Sequence, residues 1–312
     1  MWTELYIKKP KYDLSVYEAG LEDKVSDDKE LLYNDKEHTY RYIGDDANRK
    51  GVYYNSVTGV IKSFLPKFSG STENAQRKMC LTDAQVREVW NANRDCAGNR
   101  GTFIHAHLEL MLTKANLPPN KANDPKYFLT EGELSLLAQA DDEVLAYRRE
   151  VKNWLKELIS DRFGVGFALD LCDMGRCEKI LHSYEYGIGG QCDYMLSSMK
   201  DYTKASIEKN ETYMPQGTDK ILIDWKTNSK SLTKPYGFFK HPFTKIQNTL
   251  LNKFSFQLAI YALMEEEMTG EPVNEAYVVH LIDGKVVPHE VNLDKFKPLA
   301  MQMLEYYSVV KK

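Results

Sequence analysis

An apolar run that ends in an acid and a lysine stands at Ile221-Leu222-Ile223-Asp224-Trp225-Lys226-Thr227. Such a run of branched residues is typical of a buried β-strand. Side chains two positions apart in a strand point to one face, so we expect Asp224 and Lys226 to lie together. A carboxylate that holds a divalent cation beside an ammonium that orients or deprotonates water suits metal-assisted hydrolysis. Alone, the pattern also fits an exposed surface pair.

A second carboxylate precedes this strand in Gly190-Gln191-Cys192-Asp193. Its segment predicts a strand that pairs beside the first, and the glycines allow a close approach of backbone or ligand. Two carboxylates on neighbouring strands are what a Mg²⁺ or Mn²⁺ site requires, because hard cations prefer oxygen ligands. The alternative is a glycine turn followed by an exposed aspartate.

Further upstream, Gly101-Thr102-Phe103-Ile104-His105-Ala106-His107-Leu108-Glu109 predicts a helix. His105 and Glu109 lie one turn apart on the same face. His105 is either a metal ligand or a buried core histidine. His107 lies about 200° round the helix from His105, so the two cannot bind one ion, and we expect His107 to be a surface or structural residue.

Downstream of the lysine, Gln257 and Tyr261 lie one turn apart in Phe256-Gln257-Leu258-Ala259-Ile260-Tyr261. On a helix that follows the acidic strand, this amide and phenol could reach DNA or the active site. They could equally form the polar edge of an amphipathic helix.

Taken in order, G-T-x-x-H-x-x-x-E, G-x-x-D, D-x-K and Q-x-x-x-Y resemble the RecB-like branch of the PD-(D/E)XK nuclease superfamily. The strong part of the likeness covers residues 98–261. His38-Thr39-Tyr40 and Asn55-Ser56-Val57-Thr58 add a weaker similarity to phage-type and mitochondrial genome maintenance exonucleases.

The resemblance implies an α+β fold with an α/β/α restriction-endonuclease-like core, in which a central mixed sheet is flanked by helices. It implies a Mg²⁺- or Mn²⁺-dependent deoxyribonuclease, most simply an exonuclease in phage-type DNA recombination, replication or repair. The alternative is a non-catalytic DNA-binding or protein-interaction subunit on the same fold.

Site residues carry over by position. The implied metal ligands are His105, Asp193, Asp224 and the backbone carbonyl of Trp225, and Lys226 would be the catalytic lysine. The other implied residues are Gln257 and Tyr261, which would position the substrate, and Glu109 and Glu178 as secondary candidates.

Partners and cofactors follow from the same likeness. DNA is the expected partner, as single strands or duplex ends. No G-x-x-x-x-G-K-[ST] phosphate loop occurs in the sequence, so no nucleotide cofactor is expected, and a helicase, single-strand-binding protein or recombination protein would be a separate partner.

Composition limits the class of protein. The 312 residues, 43% of them hydrophobic, suffice for a sizeable core, and no apolar run approaches the roughly 18 residues that span a bilayer. We expect no membrane association and a cytoplasmic setting, the host cytoplasm if the gene is phage-borne. The five cysteines include no CxxC pair, so we expect buried thiols and no iron–sulfur cluster.

Charge is uneven along the chain, whose net charge is −4. From Lys220 to Phe256 there are seven lysines and a single acid, Asp224, interleaved with aromatic residues. This composition suits a phosphate backbone with stackable bases, and Lys230, Lys234 and Lys245 are candidate DNA contacts. The simpler interpretation is a solvated lysine-rich loop with core aromatics.

Three segments are expected within one compact unit: an N-terminal β-meander and helix (1–65), a helical region that carries the histidine motif (66–160), and the nuclease core (161–312). The insert 197–219 is predicted to be an exposed loop or hairpin arm.

Overall fold

The types of the helices and strands follow the hydrophobic periods of the sequence. A computed structural model describes residues 5–66, 72–114, 128–163, 175–196 and 220–310, in an α+β arrangement of eight helices and nine strands within these ranges. The strands are β1 Lys24–Val25, β2 Leu31–Asn34, β3 Thr39–Tyr42, β4 Tyr53–Ser56, β5 Gly175–Ser183, β6 Ile188–Leu196, β7 Lys220–Lys226, β8 Val273–Ile282 and β9 Lys285–Glu290. The helices are α1 Ser15–Ala19, α2 Val57–Ser63, α3 Glu73–Met79, α4 Asp83–Thr113, α5 Glu131–Ala138, α6 Asp142–Phe163, α7 Leu250–Thr269 and α8 Leu293–Val310.

The strands form one mixed sheet in the order β1-β2-β3-β4-β6-β7-β8-β9, and β5 pairs with β6 as well. The pairs β4–β6 and β7–β8 are parallel, and the others are antiparallel. The mixed sheet predicted from the sequence is confirmed. The N-terminal meander is continuous with it, because Asn55 of β4 pairs with Ile188 of β6.

Strand β7 lies in the middle of the core and is buried along nearly its whole length. Ile221 and Ile223 pack with α4 and α6 on one face, while Leu222 packs with α7 and α8 on the other. This double burial explains why the strand is an unbroken apolar run rather than an alternating one. The polar residues at its end are therefore brought out at the edge of the core.

The helices begin at the caps that the sequence indicates. Ser56 Oγ accepts a hydrogen bond from the Gly59 N–H at the start of α2, and Thr82 and Gln85 form a reciprocal capping box at the start of α4. The proline-rich loop predicted near residue 118 and the insert 197–219 lie outside the described residues, as does Cys172.

The pleat of the sheet reverses where β5 and β6 pass the site. Cys192 packs beneath α7, whereas Tyr194 packs on the opposite face with α4 and α6, although strand residues two apart normally share a face. Opposite Asp193 lies Glu178, whose φ of 53° is in the left-handed region. This irregularity lies at the two carboxylates and not elsewhere in the pair.

Some sequence expectations need correction. Cys80 is exposed and Cys96 and Cys177 are half-buried, so among the described cysteines only Cys192 is the buried thiol expected of all of them. The reason is local, because these three lie at a helix end, on a helix flank and on an edge strand. No helix in the described ranges has both the length and the apolar character needed to cross a membrane.

Candidate functional site

The acid and lysine at the end of β7 form an ion pair. Lys226 Nζ lies 2.6 Å from Asp224 Oδ2, with 16% of the lysine side chain and 1% of the aspartate side chain exposed. Burial raises the pKa of Asp224 to about 6, although Lys226 opposes that rise. Burial alone would lower the pKa of Lys226, but Asp224 and Asp193 more than offset this and raise it, so the ammonium stays charged.

Asp193 is held against the same strand end. Its Oδ2 accepts a hydrogen bond of 2.8 Å from the Trp225 N–H, just beyond the point where Tyr194 pairs with Ile223. Burial raises the pKa of this carboxyl too, although Lys226 and the Trp225 hydrogen bond lower it in part. Asp193 thus bridges β6 and β7 with one oxygen and faces the cleft.

His105 approaches Asp193 from the opposite side, on α4. Its Nδ1 lies 3.6 Å from Asp193 Oδ2, and about a quarter of the side chain is exposed. Burial, and then the positive charge of Lys226, lower the pKa of His105 to about 4. The imidazole is therefore neutral at neutral pH, which is the form in which histidine binds metals.

Helix α7 supports the site from behind. Gln257 Nε2 donates to Asp224 Oδ1 at 3.5 Å and to the Tyr261 hydroxyl at 3.0 Å. Both side chains are buried, so they contact Asp224 and the core rather than an exposed DNA surface. The close approach needs Gly190, where an added Cβ would lie 2.3 Å from Tyr261 Cε1.

Beside these residues lies a cleft of about 290 Å³, whose lining includes neither Asp224 nor Lys226. Glu109 and Glu178 line it with His105 and Asp193, so the structure brings both secondary candidates to the site. Burial raises the pKa of Glu109. Burial, helped by the charges of Glu109 and Asp193, raises the pKa of Glu178 well above its usual range. Four carboxyl groups line the cleft, at Asp35, Glu109, Glu178 and Asp193, with one lysine, Lys24.

The N-terminal segment closes one side of the cleft. Lys24 of β1 lies 3.8 Å from Glu178 and 3.3 Å from Asp35, and His38 also lines the wall. Sequence reasoning missed these residues. No local pattern marks a lone lysine in an acidic N-terminal stretch, and only the joining of β4 to β6 brings them here.

Arg100, next to the glycine of the histidine motif, is a further residue that sequence reasoning missed. Its guanidinium donates to the Thr227 carbonyl at 2.9 Å and pairs with Glu143 of α6. An added Cβ on Gly101 would lie 3.2 Å from Thr227 Oγ1. Helix α4 is thus fixed against the residue that follows Lys226, and the position of Arg100 beside the motif was the available signal.

His107 is fully buried, with its Nε2 3.0 Å from the Leu136 carbonyl. The surface alternative is wrong and the structural one is confirmed, because this face of α4 is covered by α5.

The lysine-rich stretch divides into two groups. Lys230, Lys234, Lys240 and Lys245 are exposed and Lys253 is half-buried, whereas Lys220 is buried in an ion pair with Glu265. Four of the aromatics counted as stackable are core residues instead: Trp225, Phe239, Phe243 and Phe256. Tyr236 and Phe238 remain exposed. The four core rings are buried because packing against apolar neighbours is favoured over contact with water.

The three predicted side-chain ligands do not bring one atom each within 4.8 Å of one another, and the Asp224 carboxylate contacts Lys226 and Gln257 instead. Among the described residues, Asp28, Glu30 and His182 do. His182 Nε2 lies 2.7 Å from Asp28 Oδ2, a hydrogen bond that ties the β1–β2 turn to β5. That contact accounts for the cluster as a structural one.

No family model matches the chain, and no curated protein matches it either. Solved structures similar to it include a proposed exonuclease from Eubacterium rectale, at 14% identity and a TM-score of 0.27, over 56% of this chain and 69% of the other. Another is the protein called SSO0001, at 12% identity and a TM-score of 0.22, over 66% of this chain and 85% of the other. At these TM-scores, neither likeness assigns a function to this chain.

Proposed function

We propose that the protein is a metal-dependent deoxyribonuclease that hydrolyses phosphodiester bonds from DNA ends. The observation that carries the proposal is the meeting of three elements at Asp193 Oδ2, which accepts the Trp225 N–H at 2.8 Å and lies 3.6 Å from His105 Nδ1. Beside it, Asp224 and Lys226 form a buried acid–base pair. The resemblance to phage-type exonucleases favours attack at ends.

The donor set fits Mg²⁺ or Mn²⁺. Two carboxylates supply hard oxygen ligands, the neutral imidazole of His105 supplies nitrogen, and the backbone carbonyl of Trp225 is a further oxygen. The raised pKa values of Asp193 and Asp224 support this, because a bound cation would offset the excess of buried negative charge. When bound, the ion would polarise the phosphate and lower the pKa of water.

The residues of the chain divide the remaining work. Lys226 is held protonated, so it would donate a hydrogen bond to water or phosphate and stabilise developing negative charge. Gln257 fixes one oxygen of Asp224, and Arg100 fixes the backbone after Lys226. Both would act as positioning residues, since Gln257 acts through Asp224 and Arg100 through the Thr227 backbone.

The test uses single- and double-stranded DNA labelled at either end, linear and circular, with Mg²⁺, Mn²⁺ or EDTA. We expect metal-dependent shortening of linear DNA, intact circles, and no cleavage by Asp193→Asn. Asp283→Asn is the matched control, because Asp283 lies in the exposed turn of the β8–β9 hairpin. Equal cleavage in EDTA, or by Asp193→Asn, would contradict the proposal.

A further inference from the structure

We propose that residues 227–249, here called the arm, form a stacking platform for single-stranded DNA, with Tyr236 and Phe238 as the base-binding side chains. This inference rests on the proposed nuclease function and names the strand form that the site takes. The Tyr236 side chain is 45% exposed to solvent, and the Phe238 side chain is 54% exposed.

The exposure of these rings is built into the arm. The Tyr236 N–H donates to the Asn248 carbonyl at 2.8 Å, the Phe239 N–H donates to the Ile246 carbonyl at 3.0 Å, and Phe238 forms a β-bridge with Gln247. Phe239, next in the chain, is 2% exposed and packs on Phe256 of α7. The backbone therefore holds one phenylalanine inward and its neighbour outward.

Both ends of the arm meet at the proposed catalytic lysine. The arm leaves β7 directly after Lys226, and Arg100 fixes its first residue, Thr227, against α4. It returns into α7, where the Phe254 ring lies 4.6 Å from Lys226 Nζ. The two ends of the arm therefore lie next to Lys226, so a nucleic acid bound along the arm would lead to the proposed site.

The charge of the arm is complementary to a phosphate backbone. It contains Lys230, Lys234, Lys240 and Lys245 and no acidic residue. All four lysines are exposed, and no ion pair joins them to a carboxylate in the ranges that the structure describes. The four lysines suit the phosphates of a nucleic acid strand, and the two exposed rings suit its bases.

Stacking on protein rings selects single strands. In a duplex the base faces are covered by neighbouring base pairs, so a ring reaches them only after unpairing. An unpaired strand offers every face, and stacking is tolerant of sequence because each base has a π-face. The aromatic pair therefore favours unpaired ends without reading bases.

The experiment compares a single-stranded oligonucleotide with an abasic one of the same length and charge. Binding is measured by fluorescence anisotropy with Mg²⁺ in Lys226→Ala protein, which keeps the carboxylates but is slowed in cleavage. We expect the ordinary oligonucleotide to bind at least about fivefold more tightly. Adding Tyr236→Ala and Phe238→Ala should bring this ratio close to one, at an unchanged thermal midpoint.

Tyr53→Ala is the matched control, because Tyr53 is 63% exposed on β4, outside the arm and two strands from β7 in the sheet. The inference would be overturned if the preference for the ordinary over the abasic oligonucleotide stayed the same when Tyr236→Ala and Phe238→Ala were added. It would also be overturned if that preference fell equally with Tyr53→Ala. Its failure is distinct from that of the nuclease proposal. A wild-type protein that shows the ratio but cuts no DNA with either metal would sink only the latter.

Discussion

One substitution at Lys226 would separate the proposed effect on the rate of cleavage from the proposed binding of the metal. Lys226→Ala should lower kcat by on the order of 10²-fold or more, because it removes the ammonium proposed to offset phosphate charge. Metal affinity, measured by calorimetry, should stay within a few-fold of wild type, since the proposed ligands remain. Lys285→Ala, on the exposed strand β9, is the control. Normal cleavage by Lys226→Ala would remove the lysine from the mechanism.

Asp224 should show a trade between stability and function. Its pKa rises from 3.8 to about 6, so in that window the folded protein holds a proton that the unfolded chain releases. Stability of the metal-free protein therefore falls as pH rises from about 4 to 6, and the ionised form is the destabilised one at higher pH. Asn cannot ionise.

We accordingly expect Asp224→Asn in EDTA at pH 8 to melt at least about 2 °C above wild type, with the gap shrinking at pH 4.5. The same variant should lose cleavage and metal affinity. Calorimetric melts at both pH values measure this, and a variant less stable than wild type at pH 8 would show that the Lys226 ion pair outweighs the burial of the charge.

Four of the candidate site residues could be predicted because each belongs to a short motif that is visible in the sequence. His105, Asp193, Asp224 and Lys226 belong to this class, and the structure places them at one strand end. Lys24 reaches the cleft only through tertiary pairing, so no local pattern marks it. Residues in a motif can therefore be identified from the sequence, whereas a residue that strand pairing brings to the cleft cannot.

Among the elements, the contact between β6 and α7 is the tightest around the site. In Gly190→Ala the new Cβ would lie 2.3 Å from a Tyr261 ring carbon, so α7 must shift with Gln257. We expect a loss of about 1–3 kcal/mol in the free energy of unfolding, measured by urea titration, together with reduced activity.

Gly98→Ala is the matched control for that prediction. Gly98 lies within α4 with nothing within 4 Å of an added Cβ. Its replacement should stabilise the protein by about 0.5–1 kcal/mol, since alanine favours a helix. If both variants changed stability alike, the steric account of Gly190 would be wrong.

The lysines of the arm should contact phosphates rather than bases. Replacing Lys230, Lys234 and Lys245 together should weaken DNA binding equally across sequences and make the slope of log K against log[salt] shallower by about 0.7–0.9 per lost contact. Titrations of Asp224→Asn protein at several salt concentrations measure this. Lys156→Ala on α6 is the control, and an unchanged slope would place the phosphates elsewhere.

Element types were more predictable than element ends. The apolar run of β5 begins at Ile180, but the strand itself begins at Gly175, because its first half pairs with β6 despite its polar residues. Hydrophobic period marks the buried half of a strand, whereas its exposed half is fixed by hydrogen bonds to a neighbour, which composition does not reveal. The hairpin turn at Asp283-Gly284, with both φ angles positive, was visible from its residues alone.

Across the whole molecule, the N-terminal residues are tied into the helical layer. Tyr12 stacks on Phe103 of α4 at 3.7 Å, Gln139 donates to the Asp13 carbonyl at 2.8 Å, and Asn93 donates to the Tyr6 carbonyl at 3.1 Å. With the β4–β6 pairing, these contacts join the three predicted segments by long-range links.

We therefore expect one cooperative thermal transition, coincident by far-ultraviolet circular dichroism and tryptophan fluorescence. A divalent cation at about 100 times its Kd should raise the midpoint, since ligation of the native state adds about 2.7 kcal/mol. EDTA alone serves as the control. Two separate transitions would show that the meander folds apart from the core.

The long sequence distances between the site residues also bear on synthesis. Asp193 and Lys226 meet His105 only after β6 and β7 have paired, and Gln257 joins them from a helix that follows. A ribosome adds about 5–20 residues per second, so His105 waits many seconds for its partners while the chain grows. A nascent or truncated chain that lacks α7 would leave Asp224 without its amide support. The candidate site therefore gains its full set of side chains only after residue 257 has been added to the growing chain.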